Sequence, residues 1–329
     1  MLFNAVVCLA LLASAAGETA LAPVRVLETP NKPIRDIAVA LDGSIFTFDY
    51  DEYKIKKFDG TGRLLLEFGG TGTGNGQFTH LTGLRALAGR LLAVDSVGLL
   101  TFDLDGRFLS KIPFAEEVTP DFSAAFADGR YIGYQIVAPE LKAVLTLRSP
   151  QGRELDRLAA YDLKEFFPEL KAGEDFFLSD EYTRNYLYAI NPEGDVLWAA
   201  SDALRVHLYR GGESWLVLAE DLTPVPFPGD ERARLLRKKA AVKPPLYVYV
   251  PDRYPLLRHL AVGPDGDLWV YVQSLEKTGF LRFSKDGKAK GFVAVEADFD
   301  VGGAVVRVFD GWMYFIVGKE LYAARLPAA

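Results

Sequence analysis

The chain has 329 residues, 50% of them hydrophobic and 25% charged, with 30 glycines and a formal net charge of −7. That balance excludes disordered, collagen-like and disulfide-framework chains, and the acidic surplus makes nucleic-acid phosphates and anionic lipid surfaces poor partners. A single cysteine, Cys8, also excludes a multi-cysteine metal or iron–sulfur centre.

Residues 1–22 read as a secretory signal. Residues 5–16 are an apolar or small run with Ser14 its only polar member, and Ala13-Ser14-Ala15 matches an A-x-A cleavage site. No Lys or Arg precedes the run, so the α-amino group supplies the only N-terminal charge. At about 12 residues the run is short of the roughly 20 that a membrane span needs. Cleavage between Ala15 and Ala22 removes Cys8 and leaves a thiol-free mature domain, residues 23–329, compatible with a periplasmic or secreted location.

Beyond residue 23 the chain repeats. Six times an apolar strand is followed by a turn ending in glycine and a second apolar or aromatic strand. The turns end at Gly43, Gly89, Gly129, Gly194, Gly266 and Gly311. The first strands are predicted over 34–41, 81–87, 122–127, 186–191, 257–263 and 304–309, and the second over 44–48, 90–94, 130–135, 195–199, 267–272 and 312–317. Glycine closes such hairpins because it accepts the positive φ that their turns require. A second hairpin follows in the first five units, ending at Gly62, Gly106, Gly152, Gly212 and Gly287, 17 to 23 residues after the first. Two hairpins make four strands, the size of one propeller blade.

The sixth unit ends one strand short, while residues 24–28 (VRVLE) are a β-rich segment ahead of the first unit. Pairing that segment as the outer strand of the last sheet closes the ring and removes an exposed edge. The expectation is therefore an all-β, six-bladed propeller closed by an N-terminal strand. A pair of β-sandwiches would leave both the turn spacing and the missing strand unexplained.

Residues 66–114 resemble an NHL-type propeller repeat. Phe68-Gly69-Gly70, then Gly72, Gly74 and Gly76-Gln77-Phe78, is similar to the glycine-rich crossover between NHL blades. Phe102-Asp103, Asp105-Gly106 and Phe108-Leu109 resemble the later hairpin of the same repeat. Elsewhere only turn-plus-strand units such as residues 264–270 recur. The resemblance implies a six-bladed propeller of the NHL-like or TolB-like kind, a group that includes many exported bacterial proteins, and by itself it implies no chemistry.

In a four-stranded blade the two hairpin turns lie on one face, and the middle connection and the crossover to the next blade lie on the other. All the long segments, 69–80, 161–184 and 221–254, are crossovers, and long loops on a rigid scaffold are where binding usually resides. The 221–254 insertion, between blades four and five, opens with Pro224, Pro226 and Pro228. A helix is expected over 232–241, with Asp230 and Glu231 at its start and Arg237, Lys238 and Lys239 at its finish complementing the dipole. It reads as a lid, or as a surface for a peptide or protein partner.

The candidate ligand-binding residues on this crossover face are Arg35, Asp36, Asp49, Asp51, Tyr53, Asp95, Gln135, Arg258, His259 and Gln273. Aligning units on their first turn glycine matches Arg35 with Arg258 and Asp36 with His259 near the channel mouth. They would hold a polar small molecule, a peptide or a protein partner, or simply form a wet rim. Asp49 and Asp51, two apart in DYDEY, are a weak candidate for a divalent cation, structural or in the channel.

The enzyme readings find little support. Propellers of this shape include metal-dependent lyases, lactonases and hydrolases, and a three-histidine site would place imidazoles at matched positions of different blades. The three histidines here, His80, His207 and His259, do not share a register. No phosphate loop, Rossmann fingerprint or G-x-S-x-G elbow occurs. Trp198, Trp269 and Trp312 lie inside second strands, where packing between blades accounts for them. The leading expectation is an exported, monomeric binding or interaction module with no catalytic residues and no required cofactor. The alternative is a metal-dependent lyase or hydrolase at the channel mouth.

Overall fold

A computed structural model describes residues 19–29, 33–48, 51, 53–87, 89–114, 124–173, 176–179 and 184–327. Among the described residues six blade sheets, each with antiparallel strands at its core, follow one another along the chain, as the repeat predicts. Blade one is built from Asp36–Val39, Ile45–Phe48, Lys54–Phe58 and Leu64–Gly69, from the axis outward. Blades two, four and five repeat that order, with innermost strands Leu81–Leu87, Tyr186–Ile190 and Leu257–Val262. All eleven turn glycines singled out from the sequence have φ between +74° and +92°, the left-handed region where a side chain is strained.

The pattern of burial explains why the inner strands are continuous apolar runs. Asp36–Val39 and Ile45–Phe48 are buried at every residue, because each is covered on both faces by neighbouring blades. The outermost strand Leu64–Gly69 alternates between exposed and half-buried positions. Six apolar clusters result, one at each interface between adjacent blades. Phe46 and Phe48 of blade one pack on Leu84, Leu91 and Phe102 of blade two. The cluster that closes the ring joins Tyr314 and Ile316 of blade six to Ile37 and Val39 of blade one.

Closure follows the expected route. Val24–Glu28 pairs antiparallel with Glu320–Arg325 and completes blade six, whose inner strands are Val305–Phe309 and Trp312–Val317. Leu27, 6% exposed, supplies its core contact. Ion pairs of Arg25 with Glu320 at 2.9 Å and of Lys319 with Glu28 at 2.7 Å fasten the rim.

Two features depart from the sequence reading. Thr19–Leu21 forms a fifth strand on blade five, parallel to Ala289–Val295, and Leu21 is 2% exposed in the core between blades five and six. The folded domain thus begins inside the stretch assigned to the signal, four residues before position 23; the Ala13-Ser14-Ala15 site lies outside the described residues. In blade three the inner strand expected over 122–127 is reduced to a bridge between Ala125 and Tyr131, with 122 and 123 outside the described residues. Its regular strands are Tyr131–Val137, Lys142–Arg148 and Glu154–Asp162.

The two longest crossovers join each other. Phe177–Ser179, from the connection between blades three and four, pairs parallel with Leu246–Val248 of the 221–254 insertion. Tyr249 packs its ring on Phe166 and Phe167, at centroid distances of 5.2 and 6.1 Å. The helix Gly229–Ala241 begins three residues earlier than expected, with Asp230 and Glu231 in its first turn and Lys238 and Lys239 in its last. Leu235 is its buried residue. Among the described residues no helix is long and apolar enough to cross a membrane.

Candidate functional site

The residues expected at the crossover face separate into groups. Asp36, 3% exposed, is a junction between three blades. One carboxylate oxygen accepts the Leu84 N–H of blade two at 3.0 Å. The other accepts its neighbour Ile37 N–H at 2.9 Å and pairs with Arg307 of blade six at 2.7 Å. Asp95 is wholly buried, and its carboxylate holds the Thr79 and His80 N–H groups of the glycine-rich crossover. Both carboxylates are committed to backbone, which a sequence alignment by turn glycine cannot reveal.

His259 and Arg258 face the short helical turn Val301–Gly303. His259 Nε2 lies 2.8 Å from the Val301 carbonyl, and Arg258 Nε donates to the Gly302 carbonyl at 3.2 Å. Desolvation pushes the His259 imidazole down to about 4. Tyr53 is half-buried, and its hydroxyl lies 3.0 Å from Nδ1 of the exposed His80, beside Asp95. Arg35 and Asp51 are exposed, while Gln135 and Gln273 are half-buried on blades three and five. Asp49 lies outside the described residues, so the Asp49–Asp51 pairing is not described. Among the described residues no three His, Cys, Asp or Glu side chains converge as a metal site.

An open cavity of about 400 Å³ lies instead in the other half of the axis. All six blades line it, through Val39, Arg85, Ala124, Ile190, Leu260 and Val308 among others. Its walls run from the middle of each innermost strand to the turn beyond, so its mouth is on the face of the short hairpin turns. Leu41, 77% exposed, stands at that mouth with Phe309 and Pro264. The walls are mainly Ala, Val, Leu and Ile side chains, interrupted by Arg85 and Arg307. The arrangement can take a small, largely apolar molecule and offer it a few polar contacts.

The sequence carried one sign of this cavity. Arg85 and Arg307 each stand four residues before the turn glycine of an apolar innermost strand, at the register where other units have Val39, Ile190 and Val262. Cationic side chains in strands otherwise buried between blades mark an unusual environment. Neither lies on a long crossover, and neither is among the candidate residues expected from the sequence.

Fold and cavity together define a six-bladed β-propeller with an axial pocket. Among solved structures the chain is similar to a Bacteroides fragilis protein named as a candidate exported protein, at 12% identity over 94% of this chain and 95% of that one, with a TM-score of 0.52. It is also similar to a gluconolactonase of Xanthomonas campestris, at 14% identity, 93% and 89% coverage and a TM-score of 0.48. A virginiamycin B lyase of Staphylococcus aureus stands at 10% identity, 93% and 99% coverage and 0.46. At these identities the first likeness supports the fold alone, and the other two carry no argument about chemistry. No family model matches the chain, and no curated protein matches it.

Proposed function

We propose that the protein is an exported, monomeric ligand-binding propeller of the NHL-like kind, which takes a small molecule into its axial cavity from the short-turn face. The observation that carries this reading is the cavity of about 400 Å³ to which every blade contributes a wall. Its size falls within the usual range for small-molecule sites. The crossover face, with exposed Arg35 and Asp51 and the Tyr53–His80 pair, is a second polar surface for a ligand, peptide or protein partner.

Titration with the uncharged dye N-phenyl-1-naphthylamine tests the cavity. Ala189 lines it from blade four, is half-buried and is not among the side chains of the blade four–five core, so Ala189→Phe adds bulk to the wall. Saturable dye fluorescence that falls ~10-fold in affinity in Ala189→Phe is the expected result. No saturable binding to the unaltered protein would refute the cavity reading. The alternative, a metal-dependent lyase or hydrolase at the crossover mouth, has its own measurement: stoichiometric, tightly held Zn²⁺ or Ca²⁺ in the purified protein would favour it.

A further inference from the structure

The chain is acidic, yet the axial cavity carries surplus positive charge. Of its two guanidinium groups, that of Arg307 is neutralised by Asp36 at 2.7 Å. Arg85 has no carboxylate partner among the described residues. Its Nη1 donates to the Ala125 carbonyl at 3.2 Å, where blade three lacks a regular inner strand. That is one of five N–H donors on a planar fork suited to a carboxylate. A half-buried guanidinium with one backbone acceptor in an apolar wall is favoured when an anion joins it.

Arg85 stands midway along its strand, level with Ile190 and Val262, and the wall between that level and the mouth is apolar: Leu41, Leu87, Pro264, Val308 and Phe309 line that stretch. The cavity therefore presents one cationic group without a carboxylate partner among the described residues, at mid-depth, and a hydrophobic throat above it. We propose that it binds an amphipathic monocarboxylate, with the carboxylate on the Arg85 guanidinium and the apolar body along the throat. The inference rests on the cavity reading above and adds the chemical class of the ligand. A charge-assisted, two-point contact orients the head, while burial of the body contributes non-directional affinity.

Calorimetric titration with decanoate, decanol and acetate tests both parts. The unaltered protein should bind decanoate ~10-fold or more tightly than decanol, since hydrogen bonds to a charged group are worth about a factor of ten or more. Acetate, lacking the body, should give no measurable heat. Arg85→Leu should abolish the preference for decanoate while leaving decanol binding within about twofold. Arg85→Lys, which keeps the charge, should retain part of the preference and serves if the leucine variant does not fold. Ala189→Phe should weaken decanoate and decanol alike. Equal affinity for decanoate and decanol, or an undiminished preference in Arg85→Leu or an abolished one in Arg85→Lys, would overturn the ligand class and leave the cavity reading standing. Absence of binding by both decyl probes and by the uncharged dye would overturn both.

Discussion

A carboxylate that is 3% exposed and bonded to two backbone N–H groups and a guanidinium from another blade cannot be removed without leaving orphans. Asp36→Ala should destabilise the protein by about 3 kcal/mol, because Arg307 and the Leu84 N–H then lose their acceptor. Urea denaturation measures this, and a loss below about 1 kcal/mol would contradict the junction role. His259 makes the molecule acid-sensitive. Its imidazole titrates near 6.5 when unfolded and about 4 when folded, so between those pH values only the unfolded chain takes up the proton. Its contribution to stability is complete above pH 6.5 and is lost as pH falls toward 4, by up to about 3 kcal/mol. Burial lowers His207 as well, in the same sense. Denaturation at pH 7.5, 5.5 and 4.5 should show a steeper decline in the unaltered protein than in His259→Gln; parallel declines would exclude this imidazole as the source. At this scale the sequence identified Asp36 and His259 as a matched pair near the axis. It could not show that both face protein groups, because their partners lie up to 271 residues away, as with Asp36 and Arg307.

Among the elements, Thr19–Leu21 carries the most direct consequence for processing. Leu21 is packed in the core between blades five and six, and the Glu296 N–H donates to its carbonyl at 2.8 Å. A leader removed after Ala22 would take this strand with it, whereas removal after Ala15 would keep it. If the leader is cleaved, mass spectrometry of the processed chain should therefore find a mature N-terminus between residues 16 and 19, and a start at residue 23 would show that the strand is dispensable. Leu21→Ala should cost about 3 kcal/mol, the usual range for a buried leucine truncation, read by denaturation of the mature chain. The hairpins were legible because two local signals coincide in each: apolar runs and a glycine with positive φ, as at Gly43 and Gly266. The short strand at 19–21 was not legible, since three residues carry no periodicity and the small residues around them also suit a leader. The helix Gly229–Ala241 was readable from its charge order, but its neighbours were not. The pairing of Leu246–Val248 with Phe177–Ser179 spans two crossovers and leaves no local mark.

For the molecule as a whole, ring closure has a testable cost. Deleting residues 19–28 exposes the edge of Glu320–Arg325 and strips the outer strand from blade five as well. The expected outcome is loss of the single cooperative transition and association through the bare edges, seen by circular dichroism and size-exclusion chromatography. A monomer with unchanged unfolding would show that the latch is unnecessary. The sequence by itself determined the number of blades, their four-stranded plan and the N-terminal latch, because hairpin turns and apolar strands are local and the repeat multiplies each signal six times. Only the tertiary structure decided where the axis is open and which cation within it has no carboxylate partner among the described residues. A cavity is what remains after six separate strands pack side by side, and among the described residues Arg307 meets Asp36 while Arg85 meets no carboxylate. Such outcomes depend on residues far apart in the chain, and no short stretch of sequence encodes them.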